Sequence, residues 1–389
     1  MSDVEKNIGT HKPEFAGEWV KLGDLLTEYK ELNVGNRYRP VAVGRFGIRA
    51  REDIYTKELA KDYSKNKVIH QNTLTVGMGS KQIDIGILTS EDRYSVSPAY
   101  HTYRIGEVDC DYLRYCLEAR NAEMFKRFAK RGTRQGKTID LKRWLGYRIC
   151  LPSKERQATV VQRLAAVERQ IDDCKSMRQR LDDLVKSRFV EMFGDPVSNA
   201  RGWSVATLGS TCEIVTGNTP SRSDPANYGD YLEWCKTDNI TSGKYLTPAV
   251  ELLSKAGAAK ARSVPSGSIL MACIAGSINS IGKVAIADRK VSFNQQINAI
   301  VPGERLNRDY LYWMLRLSKD YLCTGVNMQL KGILNKSTLS GKEFPLPPLA
   351  LQQQFADFVA RVDKLGFDVQ QQIEKLETLK QSLMQEYFG

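Results

Sequence analysis

The sequence predicts an α+β chain built twice, with two pseudo-repeated globules joined by two long antiparallel helices that form a coiled coil. Three observations predict it. Residues 151–194 map without a gap onto residues 346–389: Leu151-Pro152 falls on Leu346-Pro347, Gln157 on Gln352, Val167 on Val362, Leu181 on Leu376, and Phe193-Gly194 on Phe388-Gly389. Weaker matches in the same order lie upstream. Trp19 with Leu22-Gly23 resembles Trp203 with Leu208-Gly209, Asp111-Tyr112-Leu113 resembles Asp309-Tyr310-Leu311, and Gly79-Ser80 then Gly86 parallels Gly276-Ser277 then Gly282. Both copies end in a long run of apolar residues at helical spacing. The period is too long for a solenoid, whose units run to about 20–50 residues, so it marks a duplicated domain. Two similar surfaces suit a partner that is itself two-sided, such as duplex DNA.

In chain order, residues 1–15 read as a polar tail. From Trp19 to Cys150, short apolar runs at Pro40–Val43 and Thr73–Val76 alternate with Gly-bearing turns and predict strands. Leu113, Cys116, Leu117, Met124, Phe125 and Phe128 predict a helix over Asp111–Lys130. Leu151-Pro152-Ser153 opens the first long helix, with Ser153 as N-cap. Val160, Leu164, Val167, Ile171, Cys174, Leu181, Leu184 or Val185, and Met192 form its apolar stripe, and Gly194-Asp195-Pro196 stops it. In the second globule, strands are expected at Ser268–Ile274 and Val284–Ala287 and a helix at about Arg308–Tyr321.

Phe355, Val359, Val362, Gly366, Val369, Ile373, Leu376, Leu379, Leu383 and Tyr387 then step by fours and threes, a heptad seam that needs a partner helix. The other copy's helix is the expected partner. The alternative is that each helix packs only on its own globule, and a length of roughly 50 Å at 1.5 Å per residue argues for pairing. Leu164, Val167, Ile171 and Leu181 would meet Val359, Val362, Ile373 and Leu376 in that seam. The expected divisions are a globule over 1–150, a helix over 151–194, a globule over 195–345 and a helix over 346–389.

Composition narrows the function. Lys and Arg outnumber Asp and Glu by 57 to 45, a net charge of +12. That excess favours a polyanionic partner, although a generally basic protein with no nucleic-acid role has the same count. The eight cysteines include no CxxC pair, and three histidines make no metal site. The N-terminus lacks an apolar core and no run approaches the roughly 20 residues that span a bilayer. A reduced, soluble, cytoplasmic protein is expected, with no cofactor, no metal and no membrane partner. No phosphate-binding loop, nucleophile elbow or dinucleotide fingerprint is present. No catalytic residue is assigned.

Binding chemistry lies in Gly-bearing loops at matching places. The first globule offers Arg37, Arg39 and Arg45 early, Lys81 and Gln82 in the middle, and Arg131, Arg134, Gln135 and Lys137 late. The second offers Asn218 and Arg222 early, then Lys236, Asn239, Ser277, Asn294 and Gln295, and Asn327, Gln329 and Lys331 late. Arg reads guanine and Asn or Gln reads adenine through bidentate contacts, while Lys and Ser mainly hold phosphate. Solvated turns use the same residue types, but the dense late run of the first globule is costly without a polyanion nearby. Cys110 with Cys116, and Trp144, Trp203, Trp234 and Trp313, read as core residues, and His70 and His101 as packing or surface.

With these motifs assembled, almost the whole chain, about 19–389, resembles the specificity subunits of type I restriction–modification systems. Thr216-Gly217-Asn218-Thr219-Pro220 resembles that family's G-x-T-P opening. Gly276-Ser277…Ile281-Gly282-Lys283 resembles its Ser–Gly loop, and Phe344-Pro345-Leu346-Pro347-Pro348-Leu349…Gln352-Gln353 its Pro-rich helix entry, with Glu155-Arg156-Gln157 as the first-copy counterpart. The first globule departs from the pattern, with Arg37-Tyr38-Arg39-Pro40 in the opening and Lys81-Gln82 in the Ser–Gly loop. The resemblance implies that each globule is a target-recognition domain reading half of a bipartite, interrupted double-stranded DNA site. The paired helices would act as a ruler and dock two DNA adenine-N6 methyltransferase subunits, and ATP-dependent restriction/translocase subunits would join them. The chain would direct methylation and cleavage without performing either. The competing readings are a coiled-coil adaptor without DNA specificity and a self-contained recognition–nuclease protein.

Overall fold

The repeat seen in the sequence is a repeat of strand order. A computed structural model describes residues 17–44, 47–54, 60–131, 137–326 and 332–389. The chain divides into two compact units, Met1–Cys174 with Gln371–Gly389, and Lys175–Gln370. In the first unit β1 (Glu18–Lys21) pairs with β6 (Arg148–Leu151). Between them lie β2 (Leu26–Glu28), β3 (Thr73–Met78), β4 (Ile83–Leu88) and β5 (His101–Ile105), which form an antiparallel sheet in the order β2-β5-β3-β4. In the second unit β7 (Val205–Thr207) pairs with β12 (Glu343–Pro345). Between them β8 (Cys212–Thr216), β9 (Ile269–Ala272), β10 (Val284–Ile286) and β11 (Ile297–Pro302) form a sheet in the order β8-β11-β9-β10. Each sheet thus runs first, fourth, second, third strand.

Helices α1 (Cys110–Ala119) and α4 (Arg308–Leu317) follow the fourth strands. Each starts at a side-chain cap: the Asp109 carboxylate accepts from the amides of Asp111 and Tyr112, and the Asn307 carbonyl oxygen from those of Asp309 and Tyr310. The sequence predicts one helix over Asp111–Lys130, but the structure breaks it at Arg120 into α1 and α2 (Asn121–Phe128). The reason is a tertiary contact. Asn121 turns its amide onto the edge strand β4, donating to the Ile83 carbonyl at 2.9 Å and accepting from its amide at 3.1 Å. An edge backbone pair is satisfied in exchange for a helical turn. The predicted helix over Arg308–Tyr321 is likewise split, by Ser318.

The long helices are α3 (Lys154–Phe193) and α5 (Leu349–Phe388). Gly194, at φ 81°, ends α3 in the left-handed conformation that glycine adopts without strain. Each helix is pinned near its start by a buried glutamine. Gln157 is 2% exposed; its Oε1 accepts from the Asp109 amide at 2.9 Å and its Nε2 donates to the Pro152 carbonyl at 2.8 Å. Gln352 is 0% exposed; it accepts from the Asn307 amide at 2.8 Å and donates to the carbonyls of Arg305 and Pro347. A tyrosine completes each joint, Tyr112 donating to the Cys150 carbonyl and Tyr310 to that of Pro345. Helix ends close the same cores: Phe388 lies 5.3 Å from Tyr112, and Phe193 lies 4.8 Å from Tyr310.

The helix pair is antiparallel within each unit. In the first, Arg163 Nη1 donates to the Tyr387 hydroxyl at 3.1 Å, and Lys380 meets Glu168 at 2.8 Å. In the second, Phe189 packs on Phe355 and Arg178 reaches Gln370. Leu164, Val167, Ile171, Val359, Val362, Ile373 and Leu376 are buried, and Leu181 is half-buried against the second core. Of the first-copy pair Leu184 and Val185, it is Val185 that is buried. Leu379, expected in the seam, is 46% exposed. The inward position belongs to Lys380, whose ammonium lies between Glu118 and Glu168.

Glu168 also accepts from the Tyr115 hydroxyl at 2.6 Å and from Arg114 Nη2 at 3.2 Å. Burial alone raises its carboxyl, but the donors Lys380, Tyr115 and Arg114 more than reverse this and hold it at about 2.

Two predictions follow from these joints. Gln352→Ala strands one buried amide and two carbonyls, so it should cost about 1–3 kcal/mol in urea unfolding; unchanged stability would show that water replaces the joint. A carboxyl lowered in the folded state stabilises above its ordinary value, here 4.5, and loses that contribution as pH falls toward 2. The stability deficit of Glu168→Gln should therefore be full at neutral pH and shrink from pH 4.5 downward.

Candidate nucleic-acid interface

Sheet register gathers the candidate loops. In the first unit Glu28 pairs with Tyr103, Val76 with His101 and Met78 with Ile83. The exits of β2 and β3 and the entries of β4 and β5 therefore share one end of the sheet, and segments 29–39, 79–82 and 97–100 spring from it. Lys137 also reaches this end: its Nζ donates to the Ser80 carbonyl at 3.3 Å and lies 4.7 Å over the Phe125 ring. In the second unit Thr216 and Met271 both pair with Asn298, and Met271 with Val284. Segments 217–227, 273–283 and 294–296 share that end. The late loop closes on it through the antiparallel pairs Ile274–Ile333 and Ala275–Gly332. In both units the glutamine joint lies at the other end, beyond the last residues of β5 and β11.

The predicted residues divide by what their side chains do. Asn218 is spent on the fold, its Nδ2 donating to the Lys260 carbonyl at 2.9 Å and its Oδ1 accepting from the Arg262 amide at 2.7 Å. Asn239 is buried, accepting from the Lys236 amide and donating to the Pro248 carbonyl. Asn294 is buried and bonded to Gln296. These three brace loops rather than present an amide to a base edge. Gly217 shows how tightly the braced loops cross, since a Cβ there would lie 2.2 Å from the Asn294 carbonyl oxygen.

Other residues present their groups outward. Arg37 lies over the Tyr38 ring, and Arg39 is ion-paired with Glu52 while both stay exposed. Lys81 is exposed at the tip of the hairpin that Gly79 and Gln82 close, and the Gln82 side chain is half-buried. Ser277 is exposed and accepts from the Asn279 amide, and exposed Gln295 accepts from Thr219. Arg222 and Lys236 both lie over the Trp234 ring, each at 5.3 Å. Arg131 takes part in a backbone ladder with Lys137. Arg45, Arg134, Gln135, Asn327, Gln329 and Lys331 lie outside the described residues.

Several members of the second cluster were not singled out by the sequence. Arg262 donates to the Thr216 carbonyl at 2.8 Å, and Glu251 pairs with both Arg222 and Lys236. Neither lies near a motif, and only tertiary pairing brings them together. Trp234 is buried, as expected, and its indole N–H donates to the Asn218 carbonyl at 3.1 Å. It is also the plate beneath two cations.

Among the described residues no group of His, Cys, Asp or Glu is placed to hold a metal, and no helix is long and apolar enough to cross a membrane. Burial pushes the Cys116 and Cys273 thiols up to about 12, so neither supplies a thiolate nucleophile.

Comparison with known proteins accords with this architecture. The model of the type I restriction modification DNA specificity domain matches residues 200–378. That match takes in the second globule and most of the helix that follows it. The chain is similar to the type I restriction enzyme HindI specificity subunit of Haemophilus influenzae, 32% identical over 38% of this chain and 32% of that protein. It is also similar to the MjaIX specificity subunit of Methanocaldococcus jannaschii, 27% identical over 48% of this chain and 44% of that one. The matched regions thus span less than half the length of either relative. A solved chain from a structural account of complex assembly and conformational transition of the type I R-M system shares the fold. It has a TM-score of 0.54 and 18% identity over 98% of this chain and 99% of that one.

The division between bracing and presenting residues is testable. Asn239→Ala leaves buried backbone groups unpaired and should cost about 1–3 kcal/mol, whereas Lys81→Ala should stay within about 0.5 kcal/mol. Thermal unfolding of the two variants checks this, and equal losses would contradict it.

Proposed function

We propose that this chain reads a bipartite, interrupted double-stranded DNA target, one half-site per globule. It directs adenine-N6 methylation and restriction by partner subunits and performs neither itself. The observation that carries the reading is the shared loop end: two sheets of one strand order each gather their early and middle loops at one end, and those loops carry basic residues. Scaffold repetition with loop divergence is what two different half-sites require.

In this reading the globules are residues 1–150 and 195–345, and the helices over 151–194 and 346–389 serve as spacer and as docking site. Lys81, Arg131 and Lys137 in the first globule and Lys236 and Ser277 in the second hold phosphate. Arg37, Arg39, Arg222 and Gln295 face bases, with Arg45, Arg134, Gln135, Asn327, Gln329 and Lys331 completing the loops. Each helix has 40 residues, about 60 Å at 1.5 Å per residue. That exceeds one duplex turn of about 34–36 Å and suits half-sites separated by an unread gap. The partners are two DNA adenine-N6 methyltransferase subunits and ATP-dependent restriction/translocase subunits, and the setting is cytoplasmic.

The test is single-molecule methylation mapping of DNA from cells that express the chain with its cognate adenine methyltransferase. A new split motif with N6-methyladenine in each half is expected, and exchanging residues 1–150 for those of a relative should change one half only. An assembled complex that leaves no new methylation would overturn the proposal.

A further inference from the structure

One carboxylate stands among the presented cations of the second globule. Glu251 precedes the short strand Leu252–Leu253, which pairs with Tyr228–Cys235. Its Oε1 meets Arg222 Nη1 at 3.0 Å, and its Oε2 meets Arg222 Nη2 at 3.2 Å and Lys236 Nζ at 2.5 Å. Arg222 also lies 5.4 Å over the Tyr228 ring. Two cations are thus held against one aromatic plate by a single anion. Burial raises the Glu251 carboxyl, but Lys236 and Arg222 outweigh it and hold the group below the usual carboxylate range. It is therefore ionised at neutral pH.

A phosphate that approaches Arg222 or Lys236 meets this negative charge and must break an existing ion pair. We infer that Glu251 is a specificity-determining residue, an anionic guard that withholds Arg222 and Lys236 from the phosphates of duplex lacking the target. The inference rests on the DNA reading above. Binding to random sequence comes almost wholly from phosphate neutralisation, so withholding two cations weakens it directly. At the target, base contacts from the neighbouring loops offset the lost pairs. The first globule has no comparable guard in the Arg39–Glu52 pair, whose side chains are 76% and 59% exposed and so strongly screened.

The test uses the full chain and a short random-sequence duplex, with anisotropy titrations of wild type, Glu251→Gln, Lys236→Gln and the double variant. Each released cation adds about 0.9 to the slope of log affinity against log salt, so Glu251→Gln should steepen it by about two. Its advantage over wild type should then shrink roughly tenfold between about 50 and 200 mM salt. In the Glu251→Gln background Lys236→Gln should remove about half of the gained slope, a larger loss on random duplex than it causes in wild type. Superposed curves for wild type and Glu251→Gln, with salt-sensitive binding in both, would overturn the guard alone. Absence of salt-sensitive binding in both would overturn the DNA reading with it. Equal weakening by Lys236→Gln in the two backgrounds would also refute the guard, because Lys236 would already be free in the wild type. If Glu251→Gln does not fold, Glu251→Asp keeps the charge, shortens its reach and should give a smaller gain of the same sign.

Discussion

The rest of the structure depends on a buried amide at each helix entry. Gln157 and Gln352 join the start of a long helix to the first turn of a globule helix, using both ends of the carboxamide. A glutamine inside a core is costly unless both its donors and its acceptor find partners. Here the partners are the amides of Asp109 and Asn307, the caps of α1 and α4, and the carbonyls of Pro152 and Pro347, which precede α3 and α5. No apolar residue can make this joint, and no other polar side chain has the same length with both functions.

Because the joint lies away from the candidate loops, those loops can vary without disturbing it. Each sheet has the joint at one end and the candidate loops at the other. Changes in the loops leave the core strands untouched, while the core fixes where the loops emerge. The loops have internal scaffolding too. Asn218, Asn239 and Asn294 spend their amides on neighbouring backbone, and Gly217 lets two segments cross at contact distance. Arg222, Lys236 and Lys81 are then displayed on a frame rather than on floppy turns.

The helices were legible in the sequence because periodicity and stop signals are local. Ser153 and Gly194 bracket α3, and Gln352, Phe355, Val359 and Val362 repeat the buried Gln157, Val160, Leu164 and Val167. The general scheme of two α+β globules was legible through the repeat. What escaped was decided by tertiary partners. Asn121 looks like an ordinary helix residue until the edge of β4 claims it, and Leu379 looks like a seam residue until Glu118 and Glu168 favour Lys380 beside it. At the candidate site, the residue types and their loops were readable. The split between bracing and presenting amides was not, since Asn218 and Gln295 differ only in what lies within 3 Å of them. Glu251 and Arg262 carried no signal, because their relevance arises from β-pairing across tens of residues.

Divergence between the two copies is graded by what a change costs. The buried glutamines and tyrosines are identical, since losing one partner strands another at about 1–3 kcal/mol. Half-buried charges keep the demand and change the supplier. Glu168 and Asp363 occupy the same position in the repeat, yet Glu168 draws on Arg114 and Lys380 while Asp363 draws on Lys244, shared with Asp309. A carboxylate there needs a cation, and any neighbouring element can provide it. The exposed loops share almost nothing, because exposed pairs contribute about 0–1 kcal/mol and tolerate replacement. That gradient leaves selection on the loops to be set by what they contact rather than by folding. A pair of surfaces free to diverge while their supports stay the same lets one duplicated scaffold carry two unlike sets of loops.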